Sequence, residues 1–597
     1  MIFFRSKAFR LVTVITLFIT CVFVVLCPKW WLNASESEFV SWYPNLGVLI
    51  YFYLNHLLFF QILISLIITI NWLVQKFLHF PILKSFYEKF RFFLEKDVLE
   101  NSKFTIHLFF KTLSFVYLIA FSSLLWQLSL VSENGLISFK DFAHVIFREE
   151  GYYSIFNHPS IFWMNQSNWF IYSVLTINIF SSILNIIYRP RILSFLLMWF
   201  SYLSIVTFGR DLFQFPWDTY LLEIGFIAIF AIFFIQFRKR LPNIVRITFL
   251  VLFFRQWFSM SLTKLLYSDS SWYDLSFMNY FWINQPSPTP IAIYLFHLPL
   301  YIQNAITFFA LLLELLIPLF MLFGRKGRYV SFFISLFVSI VLQVNGNFGF
   351  FNVLTITISF WCLDDYFFRK KKTLNGTINL FEKNNFVDKV LSGIVGTVLS
   401  VNLIYASFWL FDPTTQRHPA NFLNYYIPDE KSFLALPFEI INNFRIVSPH
   451  GVFKGIPHER LHIKFFVFTE RQEWVEVKFK KGNDLLQFSF SAPIMYRLPF
   501  NFFYQSYGFS FNRYLKINEN SNLLSTWVEN LVQGIFNHNL EIEELVLVPN
   551  GEILKIKVVR YKVNFNRLNS VNFTMIDQVL FKKGENIKSP LFELKFN

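Results

Sequence analysis

The feature that most constrains the fold is a repeated alternation of long apolar runs with short clusters of basic residues. A helix needs about 20 apolar residues to cross a bilayer, and runs such as Val48 to Val74 and Ile247 to Leu266 meet that need. Basic clusters, among them Arg238-Lys239-Arg240 and Arg325-Lys326-Gly327-Arg328, come after every second run. Because cytoplasmic loops are enriched in Lys and Arg, this pattern predicts a polytopic α-helical membrane protein.

The pattern predicts about eleven transmembrane helices, with the N-terminus in the cytoplasm and the C-terminus outside. We interpret the first run as an uncleaved anchor, with a cleaved signal peptide as the alternative. Two short runs near the end could also form a re-entrant pair without changing the sidedness of the later segments. The predicted spans are Leu11 to Cys27, Val48 to Val74, Phe104 to Leu130, Trp169 to Tyr188, Ile192 to Phe208, Tyr220 to Phe237, Ile247 to Leu266, Ala305 to Phe323, Val330 to Val344, Phe350 to Leu363 and Val390 to Phe411.

The amino-acid composition agrees with a membrane protein and indicates which kinds of partner to expect. Hydrophobic residues make up 55% of the chain, and the mean hydropathy is +0.45. The formal net charge of +15 lies mostly in short loops rather than on a soluble face, so we expect a lipid bilayer and no nucleic acid as partner. The three cysteines lie in apolar runs, and no phosphate loop or dinucleotide turn is found. No catalytic residue, cofactor or metal is therefore predicted.

Residues 412–597 show a different sequence pattern from the rest, with polar and apolar residues alternating instead of long apolar runs. Val475 to Lys480 alternates polar and apolar residues, and so does Leu486 to Phe490, which predicts a hairpin across Lys481-Gly482-Asn483-Asp484. A second hairpin is predicted across Asn550-Gly551, between Ile542–Val548 and Ile553–Phe565. A bulge is expected near Val558–Val559 and a helix over Asn520 to Ile535. These patterns predict a β-rich extracytoplasmic C-terminal domain.

Charged residues within the predicted spans are candidate functional or structural groups, because an intramembrane charge is expensive and needs a partner. Glu223 could form a helix–helix ion pair with Arg255 or Lys264, or line a buried polar site. Arg255 is also the expected cation for Glu314, and Lys264 could extend its ammonium to the interface or act as a base in an enzyme. Trp217 and Asp218 precede Glu223 in the loop before the sixth span.

Two external segments complete the candidate polar site. In Gln285-Pro286-Ser287-Pro288-Thr289-Pro290 every second residue is Pro, so the segment is stiff and extended and serves as either a strap over helix ends or a docking strip. Asn347 and Asn352 flank glycines at the break between the ninth and tenth spans. That break is a tight external turn or part of a ligand-lined cavity. Sequons for glycosylation begin at Asn33, Asn165 and Asn572.

Several of these segments, taken together, resemble the lipase maturation factor family from about Phe104 onward. Phe215 to Phe226 resembles the family stretch aromatic-Gln-Trp-Asp-x-Leu-Leu-Leu-Glu-x-Gly-Phe, with Pro216 in place of Gln. Gln285 to Pro290 resembles its Gln-Pro-x-Pro-Thr-Pro loop, and Gly346 to Thr355 is the closest match. In the tail, Phe444-Arg445-Ile446-Val447 is similar as well, whereas Arg497 to Asn501 departs from the Asp-Trp-Gln that the family prefers.

The resemblance implies a membrane protein of the secretory pathway that helps secreted lipases fold and assemble, in the endoplasmic reticulum of eukaryotes or the inner membrane of bacteria. It divides the chain into a two-helix extension (1–103), a multi-span domain (104–411) and the soluble domain (412–597). Secreted client proteins are then the expected partners. The alternatives are a membrane enzyme, with Lys264, Arg255, Glu223 and Glu314 converging on a cavity open to the external side, and a transporter or lipid-handling protein using that cavity.

Overall fold

Within the part of the chain that the structure describes, nine apolar helices between residues 103 and 411 form a bundle with a C-terminal sheet domain packed at one end. The structure is a computed structural model, and it describes residues 93–94, 96–99, 101–213, 215–267, 270–368, 386–411, 436–448, 455–480, 490–507, 526–567, 570–584 and 591–592. The first two predicted spans, and nearly all of the extension 1–103, lie outside the described residues.

Short helices alternate with the apolar helices along the chain. In chain order the helices up to residue 411 are α1 (Lys103–Leu125), α2 (Phe139–Glu150), α3 (Tyr153–Asn157), α4 (Asn168–Ile187), α5 (Ile192–Phe208), α6 (Pro216–Phe233, continued as a π-helix over Phe234–Arg238), α7 (Asn243–Tyr267), α8 (Ser270–Tyr273), α9 (Phe277–Asn284), α10 (Pro290–Phe296), α11 (Leu300–Met321), α12 (Gly324–Asn345), α13 (Phe351–Ser359), α14 (Asp365–Phe368) and α15 (Phe386–Phe411).

Six of these described helices are long and apolar enough to cross a membrane: Lys103–Leu125, Asn168–Ile187, Pro216–Arg238, Asn243–Leu265, Leu300–Met321 and Gly324–Asn345. Three further apolar stretches, Ile192–Phe208, Phe351–Cys362 and Val390–Val401, are shorter. A helical membrane protein is thus confirmed, but the predicted number of about eleven spans is not. Pro190 precedes α5 and Gly209 comes after it, which limits α5 to 17 residues.

The two ends of the bundle are held by different contacts. At one end, Asp388 pairs with Arg238 at 2.6 Å and with Arg240 at 3.3 Å, and Asp365 accepts hydrogen bonds from the first backbone N–H groups of α1. Asp365 thereby satisfies donors that no residue of α1 itself can reach. The loops predicted to be external lie at the other end, where the C-terminal domain is packed.

The C-terminal domain is built on an antiparallel sheet whose six described strands have the order β3-β2-β1-β4-β5-β6. One face carries Phe465 and Val467, both fully buried, against helices of the same domain. Its elements are α16 (Leu436–Asn443), β1 (Arg460–Thr469), β2 (Trp474–Phe479), α17 (Arg497–Ser506), α18 (Thr526–Phe536), α19 (Leu540–Glu543), β3 (Val546–Leu547), β4 (Ile553–Arg567), β5 (Ser570–Lys582) and β6 (Leu591–Phe592).

The predicted strand pairings are corrected by this topology. β2 pairs with β1 across the turn at 470–473, and its other neighbour is β3. Leu486 to Phe490, the strand predicted to pair with β2, lies mostly outside the described residues. The Asn550-Gly551 hairpin is wrong, because both edges of β4 are occupied by β1 and β5, and Leu540–Glu543 is a helix. The described part of the predicted Asn520–Ile535 helix is present as α18.

A register shift lies close to the bulge predicted near Val558–Val559, at Arg560/Tyr561, but it is in the pairing of β4 with β5. Pairing of β4 with β1 runs without a shift through both valines, and further shifts lie at Phe468/Thr469 and at Phe565/Arg567. Val558 and Val559 are both buried. The change of phase in the sequence therefore arises because two consecutive valines, one on each face of the sheet, are both buried, so that alternation is interrupted at this point.

Candidate functional site: the interface between the helices and the C-terminal domain

Asp218 forms a buried ion pair with Arg497 of the C-terminal domain. The two carboxylate oxygens accept from Nη1 and Nη2 of Arg497 at 2.9 and 2.7 Å, and Tyr202 donates its hydroxyl to the same carboxylate. Both side chains of the ion pair are less than 5% exposed. A bidentate Arg–carboxylate pair is among the strongest and most directional polar contacts. It therefore fixes α17 against the start of α6.

The surroundings of Arg497 keep it charged. Burial alone would lower the pKa of the guanidinium, but the Asp218 carboxylate outweighs burial, so the pKa is raised above its ordinary value. Nη1 also donates to the carbonyl of Leu212 at 2.9 Å, and the guanidinium carbon lies 3.9 Å from the centre of the Phe213 ring. Trp217, beside Asp218, packs edge-on against Phe500 of α17 at 5.1 Å. The contact is thus both polar and aromatic.

A second buried contact between the helices and the C-terminal domain is centred on Glu223, five residues after Asp218 in α6. Nη2 of Arg255 lies 2.7 Å from each oxygen of Glu223, and the backbone N–H of Ser448 donates to the same carboxylate. Glu223 is fully buried, and Arg255 is 2% exposed. Glu223 therefore joins α7 to the segment that comes after α16 of the C-terminal domain.

The expected Arg255–Glu314 pair is wrong, and Lys264 takes that place. Lys264 donates to Glu314, and its ammonium also lies 5.0 Å from the centre of the Trp272 ring. Arg255 and Lys264 are nine residues apart on one helix, which separates them by about 13.5 Å along its axis. Each cation therefore pairs with the carboxylate at the same depth in the helix bundle: Arg255 with Glu223, and Lys264 with Glu314. Lys264 is 1% exposed and does not extend to solvent.

The proline-rich segment and the asparagine-rich break pack directly on each other. Gln285 donates to the carbonyl of Asn345 at 3.0 Å, and the N–H of Asn347 donates to the carbonyl of Ser287 at 3.1 Å. A Cβ at Gly346 would lie 2.3 Å from Oε1 of Gln285, so only glycine allows this approach. The two segments form one surface, which we call the strap surface (residues 284–289 and 345–347).

The C-terminal domain rests on the strap surface through hydrogen bonds at Asn284, Gln285, Pro286 and Asn347. Asn347 accepts from the backbone N–H groups of Ser491 and Ala492 at 2.9 and 3.1 Å. Arg460, at the start of β1, donates to the carbonyl of Gln285. Asn284 donates to the carbonyl of Pro457 at 2.7 Å. The contacts use backbone groups on one side or the other, so they position the domain with little dependence on side-chain identity there.

Asn352 forms its side-chain hydrogen bond within the helical part of the protein. Its amide donates to Oε1 of Gln343 at 2.9 Å, and this bond links α12 to α13 across the break. The predicted residues thus fall into three groups: Trp217, Asp218, Glu223, Gln285 and Asn347 contact the C-terminal domain; Arg255 supports Glu223; and Lys264, Glu314 and Asn352 join helices to one another.

Sequence reasoning did not single out the partners that the C-terminal domain supplies. Glu541, beside the α1–α2 loop, accepts from Asn168 at 2.9 Å and from the backbone N–H of Asn134 at 3.0 Å. Gln127 donates to the carbonyl of Met495 at 2.7 Å and accepts from the N–H of Arg497 at 3.1 Å. One signal was present: Arg497 is a single cation beside Leu498, in an otherwise apolar stretch. Such a charge needs a partner when it is buried.

His462 lies two residues after Arg460 on β1. Because its imidazole is buried, we expect the free energy of unfolding to fall in acid. Burial first, and then the charges of Arg460 and Lys464, lower the pKa of His462 to about 3. The unfolded chain binds this proton near pH 6.5, whereas the folded chain does not, so acidification favours unfolding. Between pH 6.5 and pH 5 we expect a loss of about 2 kcal/mol. His462→Phe should remove this part of the pH dependence of thermal unfolding, and an unchanged acid-induced shift would contradict the assignment.

Comparison with known proteins places the helical part of this interface in a family. Residues 104–370 match the lipase maturation factor transmembrane domain. Lipase maturation factor 1 of Homo sapiens is 31% identical over 271 residues, which cover 43% of this chain and 47% of that protein. Lipase maturation factor 2 of Xenopus laevis is 34% identical over 192 residues, which cover 30% of this chain and 27% of that protein.

The chain spans less than half the length of these curated relatives. No solved structure matches it. The matched segment contains Asp218, Glu223, the strap surface and Asn352, whereas Arg460 and Arg497 lie beyond it. Residues 104–370 of this chain are therefore assigned to the lipase maturation factor transmembrane domain.

Proposed function

We propose that the chain is a membrane-embedded maturation factor that assists the folding and assembly of secreted proteins such as lipases. The helices anchor the protein in the membrane, and the C-terminal domain meets the client on the external side. The family membership of residues 104–370 supports the activity. The observation that supports this arrangement is the set of contacts between the C-terminal domain and the helix ends and loops predicted to be external. These contacts are made by Asp218, Glu223 and Asn347.

In this account the buried charges serve to hold the protein together and not to react with a substrate. Glu223, Glu314 and Asp218 each have a cation within ion-pair distance. Two of these three carboxylates contact the C-terminal domain directly, which is the arrangement expected of a docking interface. A rigidly mounted domain presents a client with a fixed surface, and a fixed surface loses less conformational entropy on binding than a tethered one.

The proposed activity is tested by producing the full chain together with a secreted lipase, in cells that lack their own maturation factor. We expect the specific activity of the secreted lipase, measured as activity per mass of lipase protein, to rise when the chain is present. A secreted monomeric enzyme of another class serves as the control client and should be unaffected. An unchanged specific activity, at a chain level equal to that of a working relative, would contradict the proposal.

The proposed orientation predicts which sequons carry glycans in a eukaryotic host. Asn165 and Asn572 lie in parts that we place outside the cytoplasm, whereas Asn375-Gly376-Thr377 comes after the basic cluster that we place inside it. Removal of glycans with an endoglycosidase should increase the gel mobility of the protein. Asn165→Gln and Asn572→Gln should each abolish part of that change, and Asn375→Gln should abolish none. Loss of the change in Asn375→Gln alone would reverse the orientation.

A further inference from the structure

The sheet of the C-terminal domain has a basic and aromatic face that the described helices do not cover. The registers of β1 with β2 and of β1 with β4 place Phe466, Phe468, Trp474, Lys555 and Lys557 on the same face. Trp474 is 39% exposed. The opposite face carries Phe465, which packs against Phe502 of α17. We call the first of these the outer sheet face (Phe466, Phe468, Trp474, Lys478, Lys555 and Lys557).

The aromatic end of the outer sheet face lies far along β1 from the contacts that hold the domain. α17 covers the inner face and carries Arg497, whose guanidinium reaches Asp218. Along β1, Arg460 contacts the strap surface, and Phe466 lies six residues further on, or about 20 Å of extended strand. The aromatic end of the outer sheet face is therefore distant from the strap surface.

Positive charge dominates this face within the described strands. Within the described strands, the side chains on this side of the sheet include four lysines and one glutamate: Lys464, Lys478, Lys555, Lys557 and Glu476. Glu476 pairs with Lys464 at 3.0 Å, which leaves an excess of positive charge. A surface with this imbalance attracts anionic partners and repels cationic ones.

The lysines lie over aromatic rings, so cationic and apolar groups alternate across the face. The Lys557 ammonium is 4.4 Å from the centre of the Trp474 ring and 5.2 Å from that of Phe466. The Lys555 ammonium is 5.6 Å from the centre of the Phe468 ring. Leu547, on the neighbouring strand β3, adds an apolar side chain that is 54% exposed. Apolar contacts and charged contacts are therefore available within one side-chain spacing of each other.

Resting on the function proposed above, we propose that the outer sheet face binds an extended segment of the secreted client in which acidic and apolar residues take turns at every second position. Every second side chain of an extended segment points to the same side, so the carboxylates of this pattern can meet the lysines while the apolar side chains meet the rings. Carboxylates on such a segment complement the charge of the lysines. The occupant we propose is a polypeptide because its side-chain repeat matches the alternation of ammonium groups and rings across the face.

The proposal is tested with the full chain in detergent and a fluorescent peptide in which Glu and Phe take turns at every second position, with Thr at the positions between them. We expect the peptide to bind, with an affinity that falls as salt rises. Lys555→Gln/Lys557→Gln should weaken binding about tenfold, and Trp474→Ala should weaken it as well. Lys562→Gln is the matched control, because Lys562 lies on the same strand with its side chain on the opposite face. Lys478→Gln, at an exposed edge position, provides a further variant if the double variant does not fold.

Three results would overturn the proposal. The first is equal binding of the peptide by Lys555→Gln/Lys557→Gln and by the unmodified chain. The second is equal binding of a control peptide with Lys in place of Glu. The third is tighter binding of anionic phospholipid vesicles or of a single-stranded oligonucleotide at the same lysines. Lipase maturation is measured separately: peptide binding without any maturation would count against the proposed function, and maturation that survives the double substitution would count against this face.

Discussion

Arg497→Met is expected to destabilise the docked C-terminal domain by about 3–5 kcal/mol, because it leaves the Asp218 carboxylate buried without its cation. Asp218 would keep the hydroxyl of Tyr202 and the N–H of Phe215, which do not neutralise its charge. Methionine preserves most of the apolar volume beside Phe213, so the loss reports on charge. Thermal unfolding of the full chain in detergent, together with proteolysis in the segment 412–435, measures the effect.

Two controls make this result specific. Arg471→Met, in the exposed turn between β1 and β2, should change stability by less than about 1 kcal/mol. Adding Asp218→Asn to Arg497→Met removes the second charge and should recover part of the loss, which is the sign of direct coupling. An Arg497→Met chain that unfolds at the same temperature as the unmodified protein would contradict the assignment of this pair as the main lock.

Glu223→Gln is expected to have the second large effect, again about 3–5 kcal/mol, because it leaves the guanidinium of Arg255 charged and buried. The loss should affect both partners of Glu223: the contact between α6 and α7, and the hydrogen bond from Ser448 of the C-terminal domain. We therefore expect lower accumulation of the full chain and faster proteolysis around residue 448. Thermal unfolding in detergent and the half-life of the protein in cells measure these effects.

The double variant Glu223→Gln/Arg255→Gln separates lost charge balance from lost shape. Since it removes both charges, it should be more stable than Glu223→Gln alone. The exposed pair Lys140–Glu133 supplies the matched comparison, and Lys140→Gln should change stability by less than about 1 kcal/mol. If the two single changes at Glu223 and Lys140 had equal effects, the buried pair would have no special role.

The helices could be predicted from the sequence because length and apolarity suffice for a membrane helix. Every predicted span within the described residues corresponds to a helix, including Ile192–Phe208 with identical bounds. The strand pairings could not be predicted in the same way. Alternation identifies β2 and β4 as strands, but β1 lies between them, and no local signal in Asn550-Gly551 reveals that β4 already has two neighbours.

The candidate site was predictable as a set of residues that need partners, but not as a set of pairs. Burial of a charge demands an opposite charge, so Asp218 and Glu223 could be recognised in the sequence. The partner of Asp218 is 279 residues away, at Arg497, and only the packing of α17 brings them together. For Arg255, the sequence allowed either Glu223 or Glu314 as the partner. The position of each residue along its helix determines that Arg255 pairs with Glu223 and Lys264 with Glu314.

The most direct test of the central claim, that the C-terminal domain is locked onto the helices, is a covalent link between them. The rings of Trp126 and Tyr496 lie 6.4 Å apart at the edge of the interface. After Cys21, Cys27 and Cys362 are replaced by Ala, Trp126→Cys/Tyr496→Cys is treated with a short bifunctional thiol reagent, and the chain is cut at a protease site inserted between residues 412 and 435. We predict that the two fragments remain joined, and that they separate in Trp126→Cys/Met575→Cys, where the second position lies on the outer face of the sheet. Complete separation in the first variant would contradict the account.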